Sequence, residues 1–326
     1  MSEPAAKSPY PRALLVGLGV PALLLLGAIA FVLANTHRLP PDVALHWGPR
    51  GPDRFGPPEQ FVLEFGAIGA MMLLISALLV ATTAGAPSAR RIGVGAAVGV
   101  GAFLPLFAVV TAAAQFDITT GRDAVLDNLG MLLSMLGALA LGVAGTFLIP
   151  CPRLVPATGS VPDDAPRLHG DEATRASWEG SVGPTRGVLI GIGVLFLPVI
   201  ILAVWMATAG MWVLLPVMVL VLAALVAFLF FRVRIDAEGL AARSVIGFPT
   251  IRVPLAEVVR ADTREVSPMG EFGGWGYRTN GRETGIVTRK GEGLVVERAS
   301  GGAFVVTVDD AETAARTLNT LASRRG

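Results

Sequence analysis

The stretch MWVLLPVMVLVLAALVAFLFFRVRIDAEGL, residues 211–240, carries the two patterns from which the fold is read. Met211 to Phe231 is a charge-free apolar run, and at about 1.5 Å of rise per helical residue it is long enough to cross a bilayer core about 30 Å thick. Directly after it, Arg232-Val233-Arg234-Ile235-Asp236 alternates charged and apolar residues until Gly239. That period of two marks a strand with one buried face. The chain is therefore read as passing from a membrane helix into a β domain with almost no connector.

Working outward, five more apolar runs precede this one: Ala13 to Ala34, Phe61 to Thr83, Ile92 to Ala114, Leu129 to Ile149 and Gly187 to Ala207. Six transmembrane helices are expected, with Glu64 the one ionisable residue inside them. Thr208, Ala209 and Gly210 form a tight hairpin between the last two spans, flanked by Trp205 and Trp212 as interfacial anchors. The composition agrees: 53% of the 326 residues are hydrophobic and 16% are charged, whereas soluble domains carry about a quarter charged residues. An ordinary soluble enzyme is thereby excluded. With 26 basic and 25 acidic residues, nothing global draws the chain to nucleic acid. A single cysteine, Cys151, excludes an internal disulfide and a Cys-rich metal site. The first apolar run is too long for the roughly 7–15 residues of a signal-peptide core, so it is read as a retained span.

Orientation follows from the basic residues, which favour cytoplasmic loops. Lys7, Arg12, Arg90, Arg91, Arg153, Arg167, Arg175, Arg186, Arg232 and Arg234 fall on one side, and Arg38, Arg50, Arg54 and Arg122 on the other. A multi-pass cell-membrane protein with both termini cytoplasmic is expected. Pro21, Pro105, Pro198 and Pro216 lie inside spans, where neighbouring helices tolerate them. Gly95 with Gly99, Ala138 with Gly142, and Gly187 with Gly191 are small pairs that allow helices to approach closely, within the bundle or in a dimer.

Four regions are expected: a four-helix unit over 1–149 with a structured extracellular loop at 35–58, a polar cytoplasmic linker over 150–186, a helical hairpin over 187–231, and a cytoplasmic domain over 232–326. The loop is rich in Pro and Gly, which argues for rigid irregular structure. Its Leu39, Pro40, His46, Trp47, Gly51 and Asp53 resemble the signature of a domain of unknown function found near the N-terminus of many Gram-positive membrane proteins, including immunity proteins against peptide toxins. Ala44 stands where that family usually has proline. The resemblance covers about residues 10–80 and implies membership of the broad family and a Gram-positive source.

In the same loop, His46, a residue type that serves as pH sensor or metal ligand, has His37, Asp42 and Asp53 nearby in sequence, but this spacing is a weak metal signal and no metal or cofactor is expected. Pro40, His46, Trp47, Gly51, Asp53 and Arg54 are taken as a ligand-binding or structural motif. Three roles remain open for Glu64: an ion pair with Arg50, Arg54 or His46, exposure at the interface, or a relay for protons or substrate.

After residue 231, alternation recurs at Ile251, Val253 and Leu255, at Val295, and from Phe304 to Val308. It suggests a meander of short antiparallel strands. A final helix is expected, capped by Asp309 with Glu312 three residues on, and burying Ala311, Ala314, Ala315, Leu318 and Leu321. Strands closed by one helix imply a small β-barrel, and the order resembles the bacterial pleckstrin-homology-like domains fused to transmembrane segments. Its 14 basic and 12 acidic residues offer no strong basic patch. Trp275, Tyr277, Arg278, Arg282, Arg289 and Lys290 are the candidate partner or lipid contacts. The glycine-rich segment Ser267 to Tyr277 lacks the order of a nucleotide fingerprint.

Catalytic motifs of the zinc-hydrolase, nucleophile-elbow, phosphate-loop and deaminase types are absent. The expectation is a non-enzymatic membrane protein, sensing, scaffolding or protective at the cell envelope. Its expected partners are the lipid bilayer, an extracellular peptide or cell-wall ligand, and a cytoplasmic protein, with no nucleic acid. A small-solute transporter is the alternative.

Overall fold

The computed structural model describes residues 10–48, 50–83, 87–150, 154–169, 176–208 and 210–325. Lys7, Cys151, Arg153, Arg175 and Ala209, which entered the sequence reading, lie outside them. The chain divides into two units, one of residues 1–151 with 200–217 and the other of 152–199 with 218–326.

The first unit is a helical bundle. Its helices are α1 (Tyr10–Ala34), α2 (Pro58–Thr82), α3 (Pro87–Ala113) and α4 (Asn128–Leu148), all long and apolar enough to cross a membrane. A π-helical turn at Leu15–Gly19 interrupts α1 just before Pro21, where the ring would otherwise break the ladder. Gly101 of α3 receives that kink, since a Cβ there would lie 2.5 Å from Pro21 Cβ. The Ser76 hydroxyl donates to the Ala97 carbonyl at 2.9 Å, joining α2 to α3. The small pairs Gly95/Gly99 and Ala138/Gly142 face one another across α3 and α4, and a Cβ on Gly95 would stand 2.7 Å from the Gly142 carbonyl oxygen. Gly187 and Gly191 have nothing within 4 Å of their Cβ positions.

A fifth helix, α5 (Arg186–Thr208), is also long enough to cross, but the expected sixth span is corrected to a shorter helix, α6 (Leu214–Leu229) of 16 residues. That corresponds to about 24 Å of rise. The lost length has two causes. Met211 to Val213 form the turn that starts the helix, with Leu214 N–H donating to the Met211 carbonyl, and Phe231 already belongs to a strand.

The second unit holds two sheets. One is the antiparallel meander β3 (Trp178–Val182), β4 (Phe231–Asp236), β5 (Gly239–Ser244) and β6 (Thr250–Pro254), in that order. The other comprises β7 (Val258–Val266), β8 (Gly276–Thr279), β9 (Glu283–Val287), β10 (Gly291–Arg298) and β11 (Ala303–Val306), ordered β7-β10-β11-β9-β8. The expected closed barrel is corrected: these are two separate sheets, and β11 runs parallel to β9 rather than in a simple meander. A short helix, α7 (Pro268–Phe272), follows β7.

The last helix, α8 (Ala311–Ser323), lays Ala311, Ala314, Ala315, Leu318 and Leu321 into one apolar core with residues of both sheets. Its cap is Asp310, whose carboxylate accepts from Thr313 N–H at 3.3 Å, and not Asp309, which pairs with Arg289. Glu312 pairs one turn on with Arg316.

The segment expected to be a polar linker is part of this unit. Val161, Ala165 and Trp178 lie in its core, and the buried Asn319 amide donates to the Pro166 and Ala261 carbonyls and accepts from Ala261 N–H, all within 2.9 Å. Its β3 pairs with β4, Val182 opposite Phe231. The chain thus leaves for α5 and returns from α6 at the same strand end, so whatever the hairpin's depth, it enters and exits on one side of the sheet.

Candidate functional site

The loop between α1 and α2 folds as a hairpin of β1 (Val43–Gly48) and β2 (Gly51–Gly56). Gly51 holds φ at +111°, a conformation that favours glycine at the tip. Val43 and Leu45 turn inward and pack on Val32, Leu39, Phe61 and Ala112. Pro40 is buried just before the strand.

The base of the hairpin is clasped from the segment between α3 and α4. Gln115, fully buried, accepts from Ala44 N–H at 2.7 Å and donates to the Ala44 carbonyl at 3.2 Å. Its side-chain amide therefore pairs with β1 as a neighbouring strand would. Asp42 accepts from the Thr120 hydroxyl at 2.7 Å and from Gly121 N–H at 3.0 Å. The Thr120 and then the Gly121 hydrogen bonds hold its carboxyl below the usual range. Gly121 has no room for a Cβ, which would collide with the Asp42 carbonyl oxygen. The Trp47 indole N–H donates to the Ala124 carbonyl at 3.3 Å, and the Arg122 guanidinium lies 5.0 Å from the Phe55 ring centre. Arg38 pairs with Asp117 while stacking 4.5 Å over Phe116, and the hydrogen bond from Arg38 lowers the Asp117 pKa.

A second brace comes from α2. Arg54 grips Glu64 with both terminal nitrogens, at 2.6 and 2.7 Å, and Gln60 donates to the same carboxylate at 2.9 Å. Of the three roles left open for Glu64, the ion pair with Arg54 is the one formed. Near the tip, His46 Nδ1 lies 2.6 Å from Asp53 Oδ1, with the two side chains 62% and 53% exposed. Arg50 is exposed beside them. Among the described residues, no three His, Cys, Asp or Glu side chains converge as a metal site.

No protein-family model, curated protein or solved structure matches the chain.

The hairpin motif is brought together as a unit, but the candidate residues of the β domain are not. Trp275 is exposed and accepts from Arg278 through its carbonyl, while Tyr277 packs against the core. Arg289 and Lys290 follow β9 at the end where Gly276 pairs with Val287. Arg282 lies at the opposite end, on an open depression of about 420 Å³ shared with Glu283, Glu297 and Arg298. Burial lowers the pKa of Arg298 there. The expected basic cluster is thus divided by the length of β9. Sequence reading missed Gln115, Asp42, Thr120 and Gly121 as hairpin partners; the one local signal was an amide at the end of an apolar run, followed by a Thr-Gly turn.

Proposed function

We propose that the chain is a non-enzymatic membrane protein that presents the β1–β2 hairpin on the envelope side, with both termini cytoplasmic, as a recognition surface for a peptide or cell-wall ligand. The observation that carries this reading is the division of labour within the hairpin. Arg54, Trp47 and the Ala44 backbone are occupied in bracing, whereas His46, Asp53 and Arg50 are left exposed on a scaffold whose ordering entropy is already spent. A preorganised polar tip suits selective binding. The resemblance of the loop to the domain shared with peptide-toxin immunity proteins supports a protective or sensing role in a Gram-positive envelope, and the β unit is given the partner- or lipid-binding role of pleckstrin-homology-like domains. Occupation of Glu64 by Arg54 favours this reading over the transporter alternative, which needs free polar groups in the membrane.

The test is survival of a deletion strain challenged with a panel of membrane-active peptides, complemented with wild type or with a His46→Ala, Trp47→Ala, Asp53→Ala triple variant of matched abundance. Sensitivity rescued by wild type alone is expected; equal survival of all strains overturns the reading. Orientation is checked in a Cys151→Ala background: Arg50→Cys should react with an impermeant thiol reagent on intact cells, and Ser300→Cys should not.

A further inference from the structure

Three large apolar side chains protrude from the turn between β5 and β6: Val245, Ile246 and Phe248, the last 67% exposed. Two more, Met269 and Trp275, protrude from the segment around α7 in the other sheet. Both segments meet the end of α6. Val245 N–H donates to the Phe230 carbonyl at 3.1 Å, and a Cβ on Gly276 would lie 2.7 Å from the Phe228 carbonyl oxygen. The exposed apolar side chains therefore surround the point where an apolar helix enters the β unit.

Charge points the same way. Arg232 and Arg243 are exposed and directly opposite each other on β4 and β5, one residue inside the strand ends. Among the described residues neither takes part in a salt bridge, whereas the neighbouring Arg234 pairs with Glu179 and Asp236. Like charges placed across a strand pair are destabilising unless an anion sits between them. The Arg243 guanidinium also lies alongside Gly247 of the apolar turn, 3.4 Å from its Cβ position. Exposed apolar side chains next to exposed cations are the combination that seats a protein in the headgroup layer of an anionic bilayer.

We propose that the Val245–Phe248 turn, with Met269 and Trp275, inserts into the interface of the same bilayer that α5 and α6 enter, and that Arg232 and Arg243 bind the phosphates of anionic lipids there. This rests on the reading of α5 as membrane-spanning. Continuity with the helical hairpin is what selects lipid over a soluble partner: the β5–β6 turn is hydrogen-bonded to the end of α6, and Gly276, next to Trp275, packs closely against it. Anchoring at two loops besides the hairpin fixes the β unit against the membrane instead of leaving it to swing on a connector.

The test uses the full chain, Cys151→Ala, reconstituted in vesicles of anionic and zwitterionic lipid, with an environment-sensitive fluorophore on single cysteines at Ile246, at Glu238 in the β4–β5 turn, and at Val194 in α5. Lipids carrying a spin label near the headgroup should quench Ile246→Cys roughly threefold more than Glu238→Cys, as expected for a loop a few ångströms inside the interface. Arg232→Gln with Arg243→Gln should lower that quenching, and so should zwitterionic lipid. Equal quenching at 246 and 238, with Val194→Cys still quenched by deeply placed labels, overturns the proposal and leaves the membrane reading intact. Loss of quenching at Val194 overturns both. Shielding of Ile246→Cys from aqueous iodide without lipid quenching assigns the patch to a protein partner or a second copy, and also overturns it.

Discussion

Replacing Gln115 with Met tests whether the hairpin is held as described. Met keeps the length and fills the buried space, so the change removes the amide and little else. Three hydrogen bonds go, two to Ala44 and one to the Thr111 carbonyl. The N–H and carbonyl of Ala44, a fully buried residue, are left without their partner. At about 1–3 kcal/mol for each of the two buried groups left unpaired, the expected loss is about 2–6 kcal/mol. One decade per 1.4 kcal/mol turns this into a fall of about 30- to 20,000-fold in the protection of the hairpin amides. Hydrogen exchange followed by mass spectrometry, on peptides covering 39–56 in nanodiscs, reads it directly. Peptides covering β7, in the other unit, serve as the internal control and should not change. Gln115→Glu should be at least as damaging, because a carboxylate can accept from Ala44 N–H but turns a second oxygen towards the Ala44 carbonyl. Hairpin amides that exchange at the wild-type rate in both variants, with the control peptides intact, would refute the clasp.

Acidification provides an independent check. The folded pKa values of Asp42 and Asp117 are lowered, so their stabilisation is complete above the ordinary carboxylate value of about 3.9 and is lost as pH falls through the lower folded values. A fluorophore on Arg50→Cys should report loosening of the hairpin only in strong acid, and Asp42→Asn should weaken that dependence. In the bundle, Gly95→Ala places a Cβ 2.7 Å from the Gly142 carbonyl and should cost about 1–3 kcal/mol through overpacking, seen as a lower melting temperature in detergent. Gly187→Ala, with open space around it, should leave that temperature unchanged. In the β unit, Asn319→Leu leaves both Ala261 backbone groups without their partner, at an expected cost of about 2–6 kcal/mol. It should also free the segment around Pro166, whose carbonyl accepts from Asn319, so that trypsin cuts faster at Arg167.

Patterns local in the chain were legible. An apolar run is long or it is not, which is why five helices long and apolar enough to cross a membrane and the apolar face of α8 could be read from residues alone, whereas the loop at 35–58, expected to be irregular, folds as the paired strands β1 and β2. The boundaries failed where one residue type serves several structures. Met211 to Val213 and Phe230 to Phe231 are as apolar as the helix between them, and only the turn and the β3–β4 pairing remove them from it. Asp309 and Asp310 are equally good caps in sequence; Arg289, brought close by β9, engages the first and leaves the second for the helix.

The sequence by itself determined which segments are apolar enough for lipid, which alternate, and where the polar hairpin residues lie. Tertiary structure decided the pairing: Gln115 with Ala44, Arg54 with Glu64, β3 with β4 across the whole helical hairpin, and β9 beside β11 in parallel. The physical reason is that solvation is a property of a residue and its neighbours in the chain, whereas a hydrogen bond needs a partner at a given distance and angle. That partner is supplied by elements distant in sequence, once each has buried its apolar face.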